Sequence, residues 1–170
     1  TYHKGDMNGL HHYAKAYGDD FKDVGEFIHK SQALQAYALK YAVEVCRSCW
    51  PNVSGVLPWQ LSDPWPNISW SVIDHHFRPK KSYQMLKSVY APVLLMIRFW
   101  RKVDKNRPEQ IGDVIVHNAT QEKFDGTLEI QVIERKNGGR NVLKTLQRSF
   151  SVSPQRPLKV GSISVVPDNH

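Results

Sequence analysis

The chain has 170 residues, 41% of them hydrophobic and 11% aromatic, with a formal net charge of +7. That composition excludes a disordered segment, and no apolar run approaches the roughly 18 residues of a membrane span. The basic excess lies from Pro92 onward, where 13 Lys and Arg stand against 8 Asp and Glu, and it is scattered rather than gathered on one face. This argues for a solvated basic surface on a soluble globular chain and against a nucleic-acid partner.

The first twenty residues read as loop, with one short helix near Leu10–Tyr17. Asp19 and Asp20 offer N-caps for the helix that follows. From Val24 to about Arg47 apolar residues recur at helical spacing: Val24, Phe27, Ile28, Leu34, Tyr37, Ala38, Tyr41, Ala42 and Val45. They predict an amphipathic helix with that stripe toward a core, ended by Pro51. Gly55–Gln60 is short and apolar until its end, and predicts a buried strand of a parallel sheet or barrel. A Pro- and Trp-rich loop covers Leu61–Trp70, and a helix is expected from Lys80 to Tyr90, contacting a core through Tyr83, Met85 and Leu86. Lys80 and Lys81 read as solvated residues at its start.

Near Pro92 the periodicity changes. Val93–Trp100, Asp113–His117, Thr127–Glu134, Val142–Val152 and Leu158–Val166 are strand-like, and Thr127–Val132 alternates polar and apolar residues as a half-buried strand does. Asn106-Arg107-Pro108, Asp125-Gly126, Asn137-Gly138-Gly139 and Ser153-Pro154 supply turns between them. The pattern predicts a β-sandwich, cut short at five strands. Two domains follow, 1–91 and 92–170, and the class is α+β.

Candidate chemistry is concentrated in one stretch. Trp50, Trp59, Trp65 and Trp70 fall within 21 residues. Three of them lie at the end of the expected strand and on its loop, where barrel enzymes build their sites. Aromatic faces there receive sugar C–H faces, and Gln60 and Asp63 are the polar groups placed to bond hydroxyls. Cys46 and Cys49 lack the further ligands of a zinc site and the preceding strand of a redox site, so they read as incidental thiols at a helix end. His11–His12 and His75–His76 are adjacent pairs whose side chains diverge. Asn52-Val53-Ser54, Asn67-Ile68-Ser69 and Asn118-Ala119-Thr120 are glycosylation sequons, Asn118 being the best placed of the three.

The stretch from Ser54 to Asp74, centred on Gly55-Val56-Leu57-Pro58-Trp59-Gln60-Leu61-Ser62-Asp63-Pro64-Trp65-Pro66, resembles the last barrel strand and loop of glycoside hydrolase family 2, most of all its β-mannosidases. Ser62 stands where the family usually has Asn, and Pro58 where it has an aromatic. Ser31-Gln32-Ala33-Leu34-Gln35-Ala36 and Arg78-Pro79-Lys80-Lys81-Ser82-Tyr83 resemble the family's flanking helical elements. The later strands are similar, more loosely, to its immunoglobulin-like domain.

The resemblance implies the end of a (β/α)8 TIM barrel followed by an immunoglobulin-like β-sandwich, in a retaining exo-glycosidase for terminal β-mannosides. Exo-β-glucosaminidase and endo-β-mannosidase activity are alternatives within the family, and a non-catalytic carbohydrate-binding module is one outside it. No metal or cofactor is implied. The two catalytic glutamates of the family lie upstream, so the chain alone is expected to be inactive and to need the remainder of the barrel as its partner. Glu26, in Gly25-Glu26-Phe27, mimics the nucleophile signature but falls in a helix, and Glu44 is assigned to that helix's polar side. The same resemblance makes Trp59 the platform under the sugar, with a cis peptide after it. Asp63 and Trp65 line the pocket wall, supported by Gln60.

Overall fold

The computed structural model of the chain describes residues 7–15, 21–102, 109–136 and 139–165. The chain divides into two compact units, one of residues 1–47 and 53–91, the other of residues 48–52 and 92–170.

In the first unit, helix α1 spans Met7–Lys15, earlier than expected, and α2 spans Val24–Ser48. Asp19 and Asp20 lie outside the described residues. The cap of α2 is Asp23, whose carboxylate accepts from the Glu26 N–H at 2.7 Å, while Glu26 reaches back to the Lys22 N–H at 2.7 Å. This reciprocal arrangement satisfies one of the donors that the first helical turn leaves without partners and ties down the residue before the cap. Glu26 also meets Lys30 one turn later at 3.0 Å.

The buried face of α2 is not the predicted stripe. Ala36, Val43 and Glu44 are buried, whereas Val24, Ile28, Tyr37 and Tyr41 are about half exposed or more. Glu44 sits among the buried residues rather than on a polar side, with Lys40 at 2.7 Å. The reason is what each face meets. Gln32 and Gln35 bond the start of the last helix of the unit and the loop before it, while the stripe through Tyr37 and Tyr41 stays in solvent.

That last helix, α3, spans Lys81–Val89 and buries Ser82 and Val89. Tyr83, expected to contact a core, is 36% exposed. The Arg47 guanidinium of α2 donates to the carbonyls of Val89 and Ala91 at 2.6 and 2.8 Å, satisfying acceptors at the α3 terminus. Burial holds Arg47 below the usual arginine range.

Residues 55–60 form no strand, contrary to the sequence reading. A strand is completed by a hydrogen-bonded neighbour, and among the described residues no segment pairs with this one. Leu57 is 92% exposed. Among the described residues, isolated bridges nearby join Ser62 to Ile73 and Ile73 to Pro79.

In the second unit the five expected strands are all present and mostly longer: β1 Val93–Lys102, β2 Glu109–Asn118, β3 Phe124–Lys136, β4 Gly139–Val152 and β5 Arg156–Val165. One antiparallel sheet has the order β1-β2-β5, with a bulge at Val114/Ile115; the other is the β3–β4 hairpin. Val114, Val116, Leu128, Val152 and Val160 close a core between the sheets, and burying each such side chain is worth about 1.5–3 kcal/mol. Leu128 and Ile130 point into this core, as the alternation of β3 predicts. The opposite face of the three-stranded sheet carries buried Leu94, Met96, Ile115 and His117, with the Trp50 indole 6.4 Å from the His117 ring.

Asn118 is fully buried. Its amide donates to the carbonyl of Glu122 at 2.7 Å and reaches those of Val152 and Ser153 at 3.4 Å; its oxygen accepts from the Thr120 N–H and hydroxyl at 3.0 and 2.7 Å. This network pins the β2–β3 turn, so the sequon that reads as best placed is closed to a glycan in the folded state. Cys46 and Cys49 are free, partly buried thiols.

Candidate functional site

The site forms around the loop from Trp59 to Trp70, because backbone hydrogen bonds fold that loop back on itself. Val72 N–H reaches the carbonyls of Gln60 and Leu61, Ile73 N–H that of Leu61, and Asp63 N–H that of Ile73. The peptide bond between Trp59 and Gln60 is cis, as the resemblance implies.

Inside the fold-back sits Asp63, whose side chain is 1% exposed. Its two carboxylate oxygens accept from the hydroxyls of Ser69 and Ser71, and the Lys80 ammonium lies 3.6 Å away. Lys80 also donates to the Ser71 hydroxyl at 2.9 Å and lies 3.4 Å from the Ser69 carbonyl. Burial pushes the Asp63 carboxyl up, but the two hydroxyl hydrogen bonds and the Lys80 charge outweigh it, and the group is held below the usual carboxylate range. Lys80 is therefore no solvated helix-start residue: its side chain is 14% exposed and paired with a buried acid.

From the other side, Gln35 of α2 donates to the carbonyls of Trp70 and Ser71 at 2.8 and 3.2 Å, and accepts from Ser82 of α3 at 2.9 Å. Gln32 accepts from the Lys81 N–H at 3.3 Å. The Ser31–Ala36 motif thus joins α2, the Trp loop and α3.

This framework borders a cavity of about 630 Å³. The loop supplies Trp59, Asn67, Ile68, Ser69 and Trp70; α2 supplies an aliphatic wall of Ile28, Leu34, Ala38 and Leu39. Of the four residues singled out from sequence, Trp59 lines this cavity, with its indole 77% exposed. Asp63 lies behind the wall, bonded to Ser69. Gln60 lines a separate depression of about 410 Å³ with Tyr83 and Tyr90, and Trp65 lines neither. Sequence reasoning gave Gln35, Ser69 and Ser71 no role and read Lys80 as solvated, although all four stand in the stretches that carry the resemblance. Among the described residues no group of three or more His, Cys, Asp or Glu could hold a metal ion.

No protein-family model matches the chain. A curated relative, β-mannosidase B of Aspergillus niger, is 34% identical over 140 residues, which are 78% of this chain and 17% of that protein. Its counterpart in Aspergillus fumigatus is 25% identical over the same spans. The β-D-mannosidase of Dictyoglomus thermophilum superposes on 93% of the chain with a TM-score of 0.74 at 25% identity.

The chain belongs to the β-mannosidase-like group of glycoside hydrolase family 2. It spans only 17% of the length of the curated β-mannosidases that it matches and 18% of the Dictyoglomus thermophilum enzyme. The exo-β-D-glucosaminidase CsxA has the same fold over 98% of the chain, with a TM-score of 0.75 at 17% identity.

Proposed function

We propose that the chain is the closing part of a TIM-barrel glycosidase with its following immunoglobulin-like sandwich, and that it supplies one wall of the pocket for a terminal β-D-mannoside. The observation that carries this reading is the Trp59 indole, exposed on the rim of the cavity while the loop behind it is fixed by buried hydrogen bonds. An apolar platform of that kind receives the C–H face of a sugar and orients it. Asp63 stands behind that wall and is bonded to its Ser69.

Bond cleavage falls to two glutamates outside this chain. One acts as nucleophile and one as acid/base, about 5–5.5 Å apart, through a covalent glycosyl-enzyme intermediate. The apolar segment at 55–60, which joins no strand among the described residues, and the exposed stripe on α2 support a barrel completed by other segments, since both are surfaces that a neighbouring strand and helices would cover.

The test uses the longer protein that carries this chain, assayed on aryl β-mannoside, β-glucosaminide and β-galactoside. Mannoside is expected to be the best substrate, with Trp59→Ala lowering kcat/KM on the order of 100-fold at unchanged thermal stability. Cleavage of galactoside alone, or a Trp59→Ala variant with full activity, would overturn the reading.

A further inference from the structure

Asp63 looks like a sugar-binding acid in the sequence, yet its geometry suits another task. Its side chain is closed to solvent, and both oxygens are engaged by Ser69 and Ser71. Lys80, at the start of α3, bridges the same groups: it lies 3.6 Å from the carboxylate and donates to the Ser71 hydroxyl at 2.9 Å. Those partners sit on the returning leg of the loop, whose residues Asn67 to Trp70 line the cavity beside Trp59.

We propose that Asp63 and Lys80 form a buried electrostatic clasp that fixes the returning leg of the loop beside Trp59, Asp63 acting as a positioning residue rather than a group that touches the sugar and Lys80 holding the leg from the edge of the cavity that it also lines. The proposal deepens the glycosidase reading and rests on it for its catalytic consequence alone. The physical ground is the cost of breaking such a pair. A buried carboxylate that loses its cation, or a buried ammonium that loses its anion, draws water inward or drags its loop outward to be solvated. Either response moves Ser69 and Trp70 together. Removing one partner therefore has nearly the effect of removing both, which a residue bonded directly to substrate does not produce.

Two measurements separate the clasp from the activity. In the longer protein that carries this chain, amide hydrogen exchange over residues 61–73 is compared among wild type, Asp63→Asn, Lys80→Met and Lys80→Arg. Asp63→Asn and Lys80→Met are expected to speed exchange on the order of tenfold or more in this loop, with β1–β5 unchanged, while Lys80→Arg restores much of the protection. Unchanged exchange in both charge-removing variants would overturn the clasp, whatever the protein's activity.

In the longer protein, each charge-removing variant is expected to lower kcat/KM for an aryl β-mannoside on the order of 10- to 100-fold. The double variant Asp63→Asn/Lys80→Met should be no worse than the weaker single, and Lys80→Arg should recover much of the loss. Asp63→Asn abolishing turnover while Lys80→Met keeps it would instead make Asp63 a direct sugar ligand and end the proposal. A wild type that cleaves none of the glycosides sinks the glycosidase reading while the exchange result still decides the clasp.

Discussion

Asn118 offers the sharpest test of the packing argument. Replacing it with Ala removes one strong donation, to the Glu122 carbonyl at 2.7 Å, and two acceptances, from the Thr120 N–H and hydroxyl. At about 1 kcal/mol net for each bond, the loss comes to about 3 kcal/mol, a large fraction of the stability of a small domain. Asn118→Asp keeps the shape but turns a donor into a charged acceptor facing the carbonyls of Glu122, Val152 and Ser153. A buried, unpaired charge costs more than a missing bond, so Asp should be the worse of the two at neutral pH. Urea unfolding of the sandwich, followed by far-ultraviolet circular dichroism, ranks the variants. An Asp variant within about 0.5 kcal/mol of wild type, the ordinary range of a neutral surface change, would refute the reasoning. So would a glycan on Asn118 in folded protein made through a eukaryotic secretory route, where peptide mapping is expected to find that residue bare.

Further outcomes follow from other parts of the fold. Phe77 has φ 61° with its ring 83% exposed. Phe77→Gly should therefore raise stability by about 0.5–1 kcal/mol in thermal or urea unfolding, since relief of the left-handed backbone outweighs the added freedom of the unfolded chain. Arg47→Met should lower stability by about 2–4 kcal/mol, because two terminal carbonyls lose charged donors. The Asp63 carboxyl is depressed in the folded state, so its stabilisation is present above the unfolded value near 4 and is lost as pH falls through the folded one. Acidification below about pH 4 should loosen the 61–73 loop in hydrogen exchange, and Asp63→Asn should remove that part of the pH dependence.

How much of this was legible beforehand depended on whether the signal was local. The strands of the sandwich announce themselves through alternation and turn residues, because Leu128 and Ile130 need only one buried face to declare a period of two. The extent of α2 was equally plain, since Pro51 and the helical spacing bound it. Its orientation was not. Spacing identifies an apolar stripe through Tyr37 and Tyr41, but which face is covered depends on neighbours, and here the covered face is the one bearing Gln35 and Ala36.

The segment 55–60 failed for the same reason, since apolar content suggests a strand and only pairing makes one. At the site, Trp59 was singled out by the clustering of tryptophans together with the family resemblance, and it does line the cavity. The role of Asp63 was hidden because Ser69, Ser71 and Lys80 meet it only after the loop folds back. The burial of Asn118 was hidden too, because the three letters of a sequon carry no information about it.

One feature of the sandwich bears on handling the molecule. Leu95, Ile97 and Phe99 share a face of the edge strand β1, and are 52%, 38% and 45% exposed. They point to the side on which Val114 and Val116 are buried, and an added Cβ at Gly112 would meet Ile97 and Phe99 at 2.9 Å. A greasy ridge beside an open backbone ladder is adhesive. Purified by itself, the chain should gather into larger particles as its concentration rises, and Ile97→Lys should keep it dispersed in light scattering.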